Sequence, residues 1–593
     1  MTEATAIPKP SPVKTTPKIH YQVAMPQPES HLFEVTLKVT HWQASKLDLK
    51  MPVWTPGSYL VREYAKQVQD FQVHCSGSGK TLVSSKLSKN HWQIHTSDTS
   101  EITLSYRVFA NELSVRTNHL DTSHGYFNGA ALFFFIPGYE QQQLVIEIIP
   151  PYQNWQVTTT LNPIEGKKNT YIAPDFDTLV DSPFEIGTQQ IYDFEVLGKP
   201  HQLAIWGQGN AKVEQIIADT KKIIEVEAEM FDGLPYQRYL FLLHLSASGY
   251  GGLEHKDSCS LNYPRFGFRK QEKYQRFIQL VAHEFFHLWN VKRIRPKALE
   301  QFDYEQENYT TSLWFCEGTT SYYDLLIPCW AGIYDNKTFL EAISKDITRL
   351  QTTPGRKVQP VSESSFDAWI KLYRRDANSD NNQISYYLKG EMVSLLLDLL
   401  IRAQSQNQRS LDDVMRQMWQ RFGIEEVGFT PQQLKDVIES VAQQDLTEFF
   451  QRYVDGTQEL PFDEYLKPFG LQVQPVKEEE ATPYLGMRLE NKDKSKATVR
   501  FVEANSPAEA AGIDSTDELL AIEGMRVSAD NLEERLKDFA VGDEVNLTLF
   551  HGDELKTCQV KLGKPQPSRY QVVKVNKPSP SQKALLAGWL RSK

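Results

Sequence analysis

The sequence of 593 residues has few cysteines and no long apolar run. Its five cysteines are scattered, odd in number and without C-x-x-C spacing, so neither a disulfide framework nor a Cys-rich zinc site is expected. Apolar bursts such as 130–137 are much shorter than the ~18 residues of a membrane helix, and the N-terminus lacks the apolar core of a signal peptide. These absences favour a cytoplasmic protein without a membrane partner.

An excess of positive charge is also absent. Lys and Arg number 64 against 75 Asp and Glu, which gives a net charge of −11. Because binding to nucleic acid requires a basic surface that neutralises phosphates, we expect no nucleic-acid partner. The one dense basic run, 292–297, directly follows a helical pattern and is interpreted as a solvated or dipole-compensating helix end.

The hydrophobic pattern changes along the chain and predicts several domains. Alternating apolar and polar residues predict an all-β domain at 19–195, after a flexible tail at 1–18. Mixed strand and helix patterns follow at 196–355, and mostly helical ones at 356–475. Short strands with two short helices are predicted at 476–565, where VKEEEAT (476–482) is a linker, and residues 566–593 are predicted to be a C-terminal tail.

The segment FIQLVAHEFFHLWNV contains the motif H-E-x-x-H, formed by His283, Glu284 and His287. Its neighbours are apolar nearly all round, which predicts a buried helix. Histidines four positions apart lie on one helix face and can hold one metal ion, whereas without an ion these buried polar groups would need other partners. Glu284 is placed to act as general base on a water molecule that the ion activates. The pattern predicts a site for one Zn2+ ion.

A catalytic zinc ion usually has three protein ligands, so a third ligand is needed downstream. The segment SLWFCEGTTSYYDLL predicts a second apolar helix with Glu317 near its start, and we expect Glu317 to be that ligand. Glu305 and Glu307 are rivals, but their polar surroundings predict exposure. Asp324 lies seven positions after Glu317 on the same helix face and is predicted either to orient a ligand or to lie at the surface.

Several segments together resemble the glycyl aminopeptidase family of gluzincin metallopeptidases. They are the H-E-x-x-H segment with the WNVKRIRP that follows it, WFCEGTTSYY, WTPGSYLVREYAK at 54–66, GYGGLEH at 249–255 and SYYLKGEMVSLLLDLLIR at 385–402. The resemblance covers nearly the whole chain and implies that 196–355 is a thermolysin-like α/β catalytic domain with a helical lobe at 356–475. The gap of 30 positions between His287 and Glu317 is longer than in the larger related aminopeptidases, so an insert must loop out between the two helices.

The resemblance also implies roles for residues outside the metal motif. Tyr387 would donate a hydrogen bond to the oxyanion of the tetrahedral intermediate, with Tyr386 as the runner-up. Glu254 would bind the free α-amine of a peptide, and Gly251 and Gly252 would let the substrate backbone approach closely. Apart from the resemblance, the polar segment before the apolar run 130–137 contains His119, Asp121, His124 and Asn128, which either reach the cleft or form a plain loop. Only Asn128 is kept as a possible site residue.

Residues 483–564 resemble a PDZ domain, which implies a β/α fold that binds a C-terminal peptide as an added strand. Tyr484 to Met487 occupies the place of the carboxylate-binding loop. The alternative is a packing module whose groove is closed by the chain's own tail.

The leading hypothesis is a zinc aminopeptidase that removes small N-terminal residues, Gly or Ala, from peptide substrates. A second hypothesis is a zinc endopeptidase whose PDZ domain recruits protein substrates. A third is a non-enzymatic PDZ scaffold.

Overall fold

The computed structural model describes residues 16–97, 99–476, 482–490 and 496–591. Most of the predicted flexible tail and most of the predicted linker therefore lie outside the described residues. The structure confirms the predicted multidomain fold: an N-terminal β domain, an α/β catalytic region with a helical lobe, and a C-terminal PDZ domain. Within the described residues, no helix is long and apolar enough to cross a membrane.

The N-terminal β domain consists of one sheet of seven strands, one of four and one of three. In the interior strand LFEVTLKVT of the seven-stranded sheet, the alternate residues Phe33, Val35, Leu37 and Val39 are buried, as a half-buried strand requires. The elements are β1 Lys18–Ala24, β2 Leu32–Thr40, β3 Lys46–Lys50, β4 Val68–Cys75, β5 Ser84–Ser88, β6 His91–His95, β7 Ile102–Phe109, β8 His119–Leu120, β9 His124–Phe127, β10 Leu144–Ile149, β11 Gln156–Thr158, β12 Asn162–Pro163, β13 Thr170–Ala173, α1 Phe176–Val180 and β14 Phe184–Gly187.

The catalytic region contains a five-stranded sheet in the order β15-β16-β17-β19-β18, formed by β15 Gln190–Val196, β16 Lys199–Trp206, β17 Tyr239–Ser246, β18 Gly251–Glu254 and β19 Ser258–Pro264. All residues of β17 are buried, as expected of a central strand covered on both faces. The edge strand β18 runs antiparallel to β19. The helices are α2 Val213–Phe231, α3 Gln271–Phe286, α4 Thr320–Trp330, α5 Asn336–Gln351, α6 Val361–Phe366, α7 Ser379–Asn382, α8 Tyr386–Ser405, α9 Leu411–Met418, α10 Pro431–Ala442, α11 Thr447–Phe449 and α12 Phe462–Leu466.

A π-helical turn at Trp314–Thr319 leads directly into α4. Such turns occur mostly as single wide turns within helices, frequently at functional sites. All six residues of this turn are buried, including Glu317, so the carboxylate that sequence analysis chose as a ligand lies inside the protein.

The C-terminal part contains β20 Leu471–Pro475, β21 Met487–Leu489, β22 Ala497–Val502, α13 Pro507–Ala510, β23 Glu518–Ile522, β24 Met525–Arg526, α14 Leu532–Leu536, β25 Glu544–His551, β26 Glu554–Lys561, β27 Tyr570–Lys574 and α15 Pro580–Trp589. Strands β21 to β26 form the PDZ sheet, in which β21 lies at the edge. Its side chains form a core of their own around Leu519, Leu547 and Val560.

Residues 566–591 do not form the tail that the sequence predicted for 566–593. Strand β27 pairs antiparallel with β20, and α15 packs Trp589 into the core of the catalytic region. Trp589 is completely buried and donates to the Tyr322 hydroxyl at 2.9 Å. The apolar end LLAGWL thus continues the catalytic region after the PDZ domain.

Candidate active site

The three predicted metal ligands converge on one point. Helix α3 and its C-terminal cap place His283 and His287 one turn apart, with ring centroids 4.6 Å apart. The Nε2 atoms of both rings face the same oxygen, Oε2 of Glu317, at 3.4 and 3.2 Å. These three residues come from two helices that the insert at 288–313 separates in the sequence.

The geometry of this cluster fits a metal ion better than direct hydrogen bonds. Ligand atoms that bind one zinc ion tetrahedrally at about 2.0–2.1 Å lie roughly 3.3–3.4 Å apart, which agrees with the separations of 3.2 and 3.4 Å. Oε2 of Glu317 is buried, and no donor among the described residues meets it with hydrogen-bond geometry. Burial opposes ionisation of Glu317, yet the facing imidazoles lower its pKa below the ordinary value, so the carboxylate is anionic.

Both histidines are oriented through their other ring nitrogen. Nδ1 of His283 donates to the Asp324 carboxylate at 2.8 Å, and Nδ1 of His287 donates to the Asn290 carbonyl at 2.6 Å. These bonds place the proton on Nδ1 and leave the Nε2 lone pair for a metal. Asp324, for which the sequence left two interpretations, therefore orients the His283 ring.

Glu284 lies beside the three predicted metal ligands. It is 4% exposed, and its Oε2 has no hydrogen-bond partner among the described residues. Burial raises the pKa of Glu284 above the ordinary value, against the two histidines, which lower it. A carboxylate with a raised pKa holds a proton readily, as a general base requires.

Steric constraints explain why both positions of β18 that we singled out are glycines. A Cβ on Gly252 would lie 2.1 Å from the Glu284 carboxylate, so only glycine permits this approach. Gly251 has a φ of +144°, which side-chain-bearing residues rarely adopt. The strand therefore passes directly over the general-base candidate.

Glu254 lies at the end of the same strand and is 4% exposed. Its carboxylate, that of Glu284 and the His287 imidazole have ligand atoms within 4.8 Å of one another. Gly57 of the β domain covers it, because a Cβ there would lie 2.5 Å from the Glu254 carboxylate. Trp54 and Tyr59 line the small cavity beside this carboxylate.

Two neighbouring tyrosines begin α8, and their environments differ. Tyr387 is partly exposed, with its ring centroid 6.3 Å from that of His283, whereas Tyr386 is completely buried. The hydroxyl of Tyr373, which the sequence analysis did not identify, is within 3.1 Å of Tyr387 and 3.0 Å of Tyr386. This geometry favours Tyr387 over its neighbour as the residue that faces the ligands.

The structure removes other sequence candidates from the site. Glu305 forms a surface ion pair with Lys50. Asn128 is completely buried, where its side-chain oxygen accepts from the Ala130 amide and the Thr55 hydroxyl, so it has a structural role.

The interpretation of the basic run 292–297 as a solvated helix end is wrong for its first two residues. Lys292 is 6% exposed and binds Asp181 of the β domain at 2.6 Å. Arg293 is 4% exposed and binds Asp257 at 3.0 Å. These two ion pairs hold the segment that follows α3 against Asp181 and Asp257.

Arg116 is a further residue that the sequence analysis missed. It extends from the loop between β7 and β8 and donates from Nη2 to the Gly252 carbonyl at 3.0 Å. A single arginine in a loop 136 positions from its partner carries no sequence signal.

Comparisons with known proteins agree with this description. The Peptidase M61 N-terminal domain model matches residues 20–188, the M61 glycyl aminopeptidase model matches residues 276–393, and the PDZ domain model matches residues 483–562. The crystal structure of an aminopeptidase N family protein from Idiomarina loihiensis is 31% identical, with 96% of this chain and 100% of that chain covered and a TM-score of 0.90. An M1 zinc metallopeptidase from Deinococcus radiodurans is 13% identical, with 75% and 94% covered and a TM-score of 0.46. No curated protein matches significantly.

Proposed function

The chain belongs to the M61 glycyl aminopeptidase family of metallopeptidases, and from this premise we propose that it is a zinc aminopeptidase that removes small N-terminal residues, Gly or Ala, from peptides. The observation that carries the proposal is the convergence of two imidazole Nε2 atoms on one buried carboxylate oxygen, at 3.2 and 3.4 Å. His283, His287 and Glu317 would hold one zinc ion. When bound, zinc polarises the scissile carbonyl and acidifies a water molecule.

Glu284 takes a proton from the attacking water and passes it to the leaving amine. Its burial and its raised pKa suit both transfers, and such a group contributes about 10²–10⁴-fold to the rate. The Tyr387 hydroxyl donates a hydrogen bond to the oxyanion that forms at the scissile carbonyl.

Glu254 binds the α-ammonium group of the substrate. A charge-assisted hydrogen bond to a buried carboxylate orients the N-terminal residue over the metal ligands. Gly57 lies directly on this carboxylate, which leaves little room for chain on the N-terminal side of it. The arrangement therefore favours an exopeptidase over an endopeptidase, whereas the preference for Gly or Ala rests on the family alone.

For the PDZ domain we propose the binding of a peptide C-terminus along β21, the edge strand of its sheet. The chain's own C-terminal segment does not close this groove, because β27 and α15 pack on the catalytic region instead.

The test combines metal analysis with turnover of glycyl, alanyl and leucyl amides and of the same peptides with an acetylated N-terminus. We expect one zinc ion per chain, cleavage of the free glycyl and alanyl substrates, and none of the acetylated ones. Glu284→Gln should keep its zinc and lose about 10²–10⁴-fold in kcat. Glu272→Gln, an exposed glutamate in the first turn of the same helix, is the matched control and should behave like the wild type. Equal cleavage of acetylated peptides would contradict the aminopeptidase assignment.

A further inference from the structure

Arg116 is held rigidly above the edge of the catalytic sheet by the β domain. Its carbonyl accepts from the Tyr64 hydroxyl at 2.8 Å, and its amide donates to the Ser114 hydroxyl at 3.2 Å. Its Nη2 donates to the Gly252 carbonyl, and its Nη1 lies 3.6 Å from the position that a Cβ of Gly251 would take. The guanidinium is therefore oriented before any substrate arrives.

The charge of Arg116 is not neutralised within the described residues. No carboxylate of the described residues lies within 4.0 Å of its guanidinium, whereas Arg293 and Arg402 each have such a partner. Burial lowers the pKa of Arg116, but Tyr373, Tyr387, Glu284 and Glu254 together raise it above the ordinary value, the two carboxylates from beyond ion-pair distance. A cation oriented in a cleft without a paired anion is suited to binding an anionic group of a ligand.

The order of groups along β18 shows which part of a peptide would reach Arg116. Glu254 lies at one end of the strand, Gly252 lies over Glu284, and Gly251 lies next to Arg116. An extended peptide advances roughly 3.3 Å per residue. When the amine of a dipeptide is at Glu254 and its scissile carbonyl is near Glu284, its C-terminal carboxylate lies at the Arg116 guanidinium.

A cavity of about 640 Å³ lies next to Arg116, because its lining includes Thr117 and also Tyr64, whose hydroxyl bonds the Arg116 carbonyl. Its lining includes the three cations Arg62, Lys66 and Arg374 against the single acid Glu112, and also Tyr373, whose hydroxyl contacts that of Tyr387. The positive lining favours an anion at this end of the cleft.

We propose that Arg116 is a specificity-determining residue that binds the free C-terminal carboxylate of a dipeptide through its guanidinium. The inference rests on the proposed aminopeptidase function and narrows its substrate class to very short peptides with a free C-terminus. The planar guanidinium matches a carboxylate with two parallel hydrogen bonds, whereas a peptide amide can accept only one.

The test compares Ala-Ala with Ala-Ala-amide, which differ only in the terminal charge. Charged hydrogen bonds of about 1.5–3 kcal/mol correspond to roughly a 10–100-fold preference. We expect the wild type to prefer the free acid by that factor, mainly through KM. Arg116→Gln should bring the ratio of the two kcat/KM values close to one, and Arg116→Lys should keep part of the preference.

The matched control is Arg238→Gln. Arg238 also donates to backbone carbonyls of the β domain, those of Thr160 and Leu161, but it is exposed and does not donate to the edge strand β18. This variant should keep the wild-type ratio. Equal kcat/KM values for the acid and the amide in the wild type, or an equal loss for both in Arg116→Gln, would overturn the inference and leave Arg116 a purely structural role.

Calorimetry separates a failure of this inference from a failure of the proposed function. Binding of Ala-Ala and Ala-Ala-amide is measured in Glu284→Gln and in the double variant with Arg116→Gln. A preference for the acid that disappears in the double variant supports the carboxylate site even if no peptide is turned over. Equal affinities in both proteins reject it even if the enzyme is an active aminopeptidase.

Discussion

His283, His287 and Glu317 form one cluster of two histidines and a glutamate, and His124, His244 and Glu185 form another. In the first cluster both imidazoles face a single carboxylate oxygen at 3.2 and 3.4 Å. In the second, each oxygen of Glu185 receives one imidazole at 2.8 Å. The longer distances leave room for an ion between the ligands, whereas the shorter ones are those of direct hydrogen bonds.

The two clusters also differ at the outer nitrogens, which are the imidazole nitrogens that point away from the carboxylate. The first cluster anchors both Nδ1 atoms, on Asp324 and on the Asn290 carbonyl. In the second cluster, Nε2 of His124 and Nδ1 of His244 are buried without a partner among the described residues. Metal-binding histidines almost always have such an outer partner, so the first cluster fits a metal ion and the second fits a hydrogen-bonded cluster, although the residue types are identical.

The second cluster lies between the β domain and the catalytic sheet. His124 is on β9 and Glu185 on β14 of the β domain, whereas His244 is on β17 of the catalytic sheet. Trp206 stacks on His124 with ring centroids 3.5 Å apart. The cluster therefore links the two domains.

The largest expected effect tests the comparison directly by removing one histidine from each cluster. His287→Ala should lose its zinc and all measurable turnover, because two remaining ligands do not hold a catalytic ion. His244→Ala should keep the wild-type zinc content, since its imidazole belongs to a hydrogen-bonded cluster. Metal analysis after exhaustive dialysis, with peptide turnover, measures both. Two zinc ions per wild-type chain, or loss of an ion from His244→Ala, would show that both clusters are metal sites.

The next effect concerns stability. Glu185→Gln removes the carboxylate that both buried imidazoles contact, and removal of one partner of a buried ion pair costs about 3–5 kcal/mol. We expect the first urea transition, followed by tryptophan fluorescence, to move to lower urea while the zinc content stays unchanged. Glu195→Gln, an exposed residue of the neighbouring β15, should leave the transition in place. An unchanged transition in Glu185→Gln would mean that the cluster does not stabilise the domain contact.

The difference in stability between the wild type and Glu185→Gln should depend on pH. Burial raises the pKa of Glu185, but the charges of His124 and His244 outweigh it and lower the pKa from 4.5 to about 2. A lowered carboxyl pKa stabilises the folded state fully above about pH 4.5, and the contribution is lost as the pH falls toward 2. The stability difference between the wild type and Glu185→Gln should therefore shrink by about 3 kcal/mol across that window.

Sequence patterns predicted what depends on local spacing. The H-E-x-x-H helix follows from two histidines four positions apart, and Glu317 stands out because its neighbours are apolar. The burial of Lys292 and the strand β27 were not predicted, because both depend on partners far away in the sequence, Asp181 and β20. The second His–Glu–His cluster was missed for the same reason, since its members lie 61 and 59 positions apart.

The smallest expected effect is on zinc affinity, and it tests the hydrogen bond at Nδ1 of His283. Asp324→Asn keeps the size of the side chain but weakens the hydrogen bond to Nδ1 of His283, and loss of such a partner costs about 10–100-fold in metal affinity. Asp121→Asn is the matched control, because Asp121 bonds His119 beside the second cluster at 3.2 Å and should not affect zinc. Competition with a chelator measures the zinc Kd of each variant. A normal Kd for Asp324→Asn would mean that the His283 ring is oriented by packing alone, and the outer hydrogen bond would no longer distinguish the metal site from the ionic cluster.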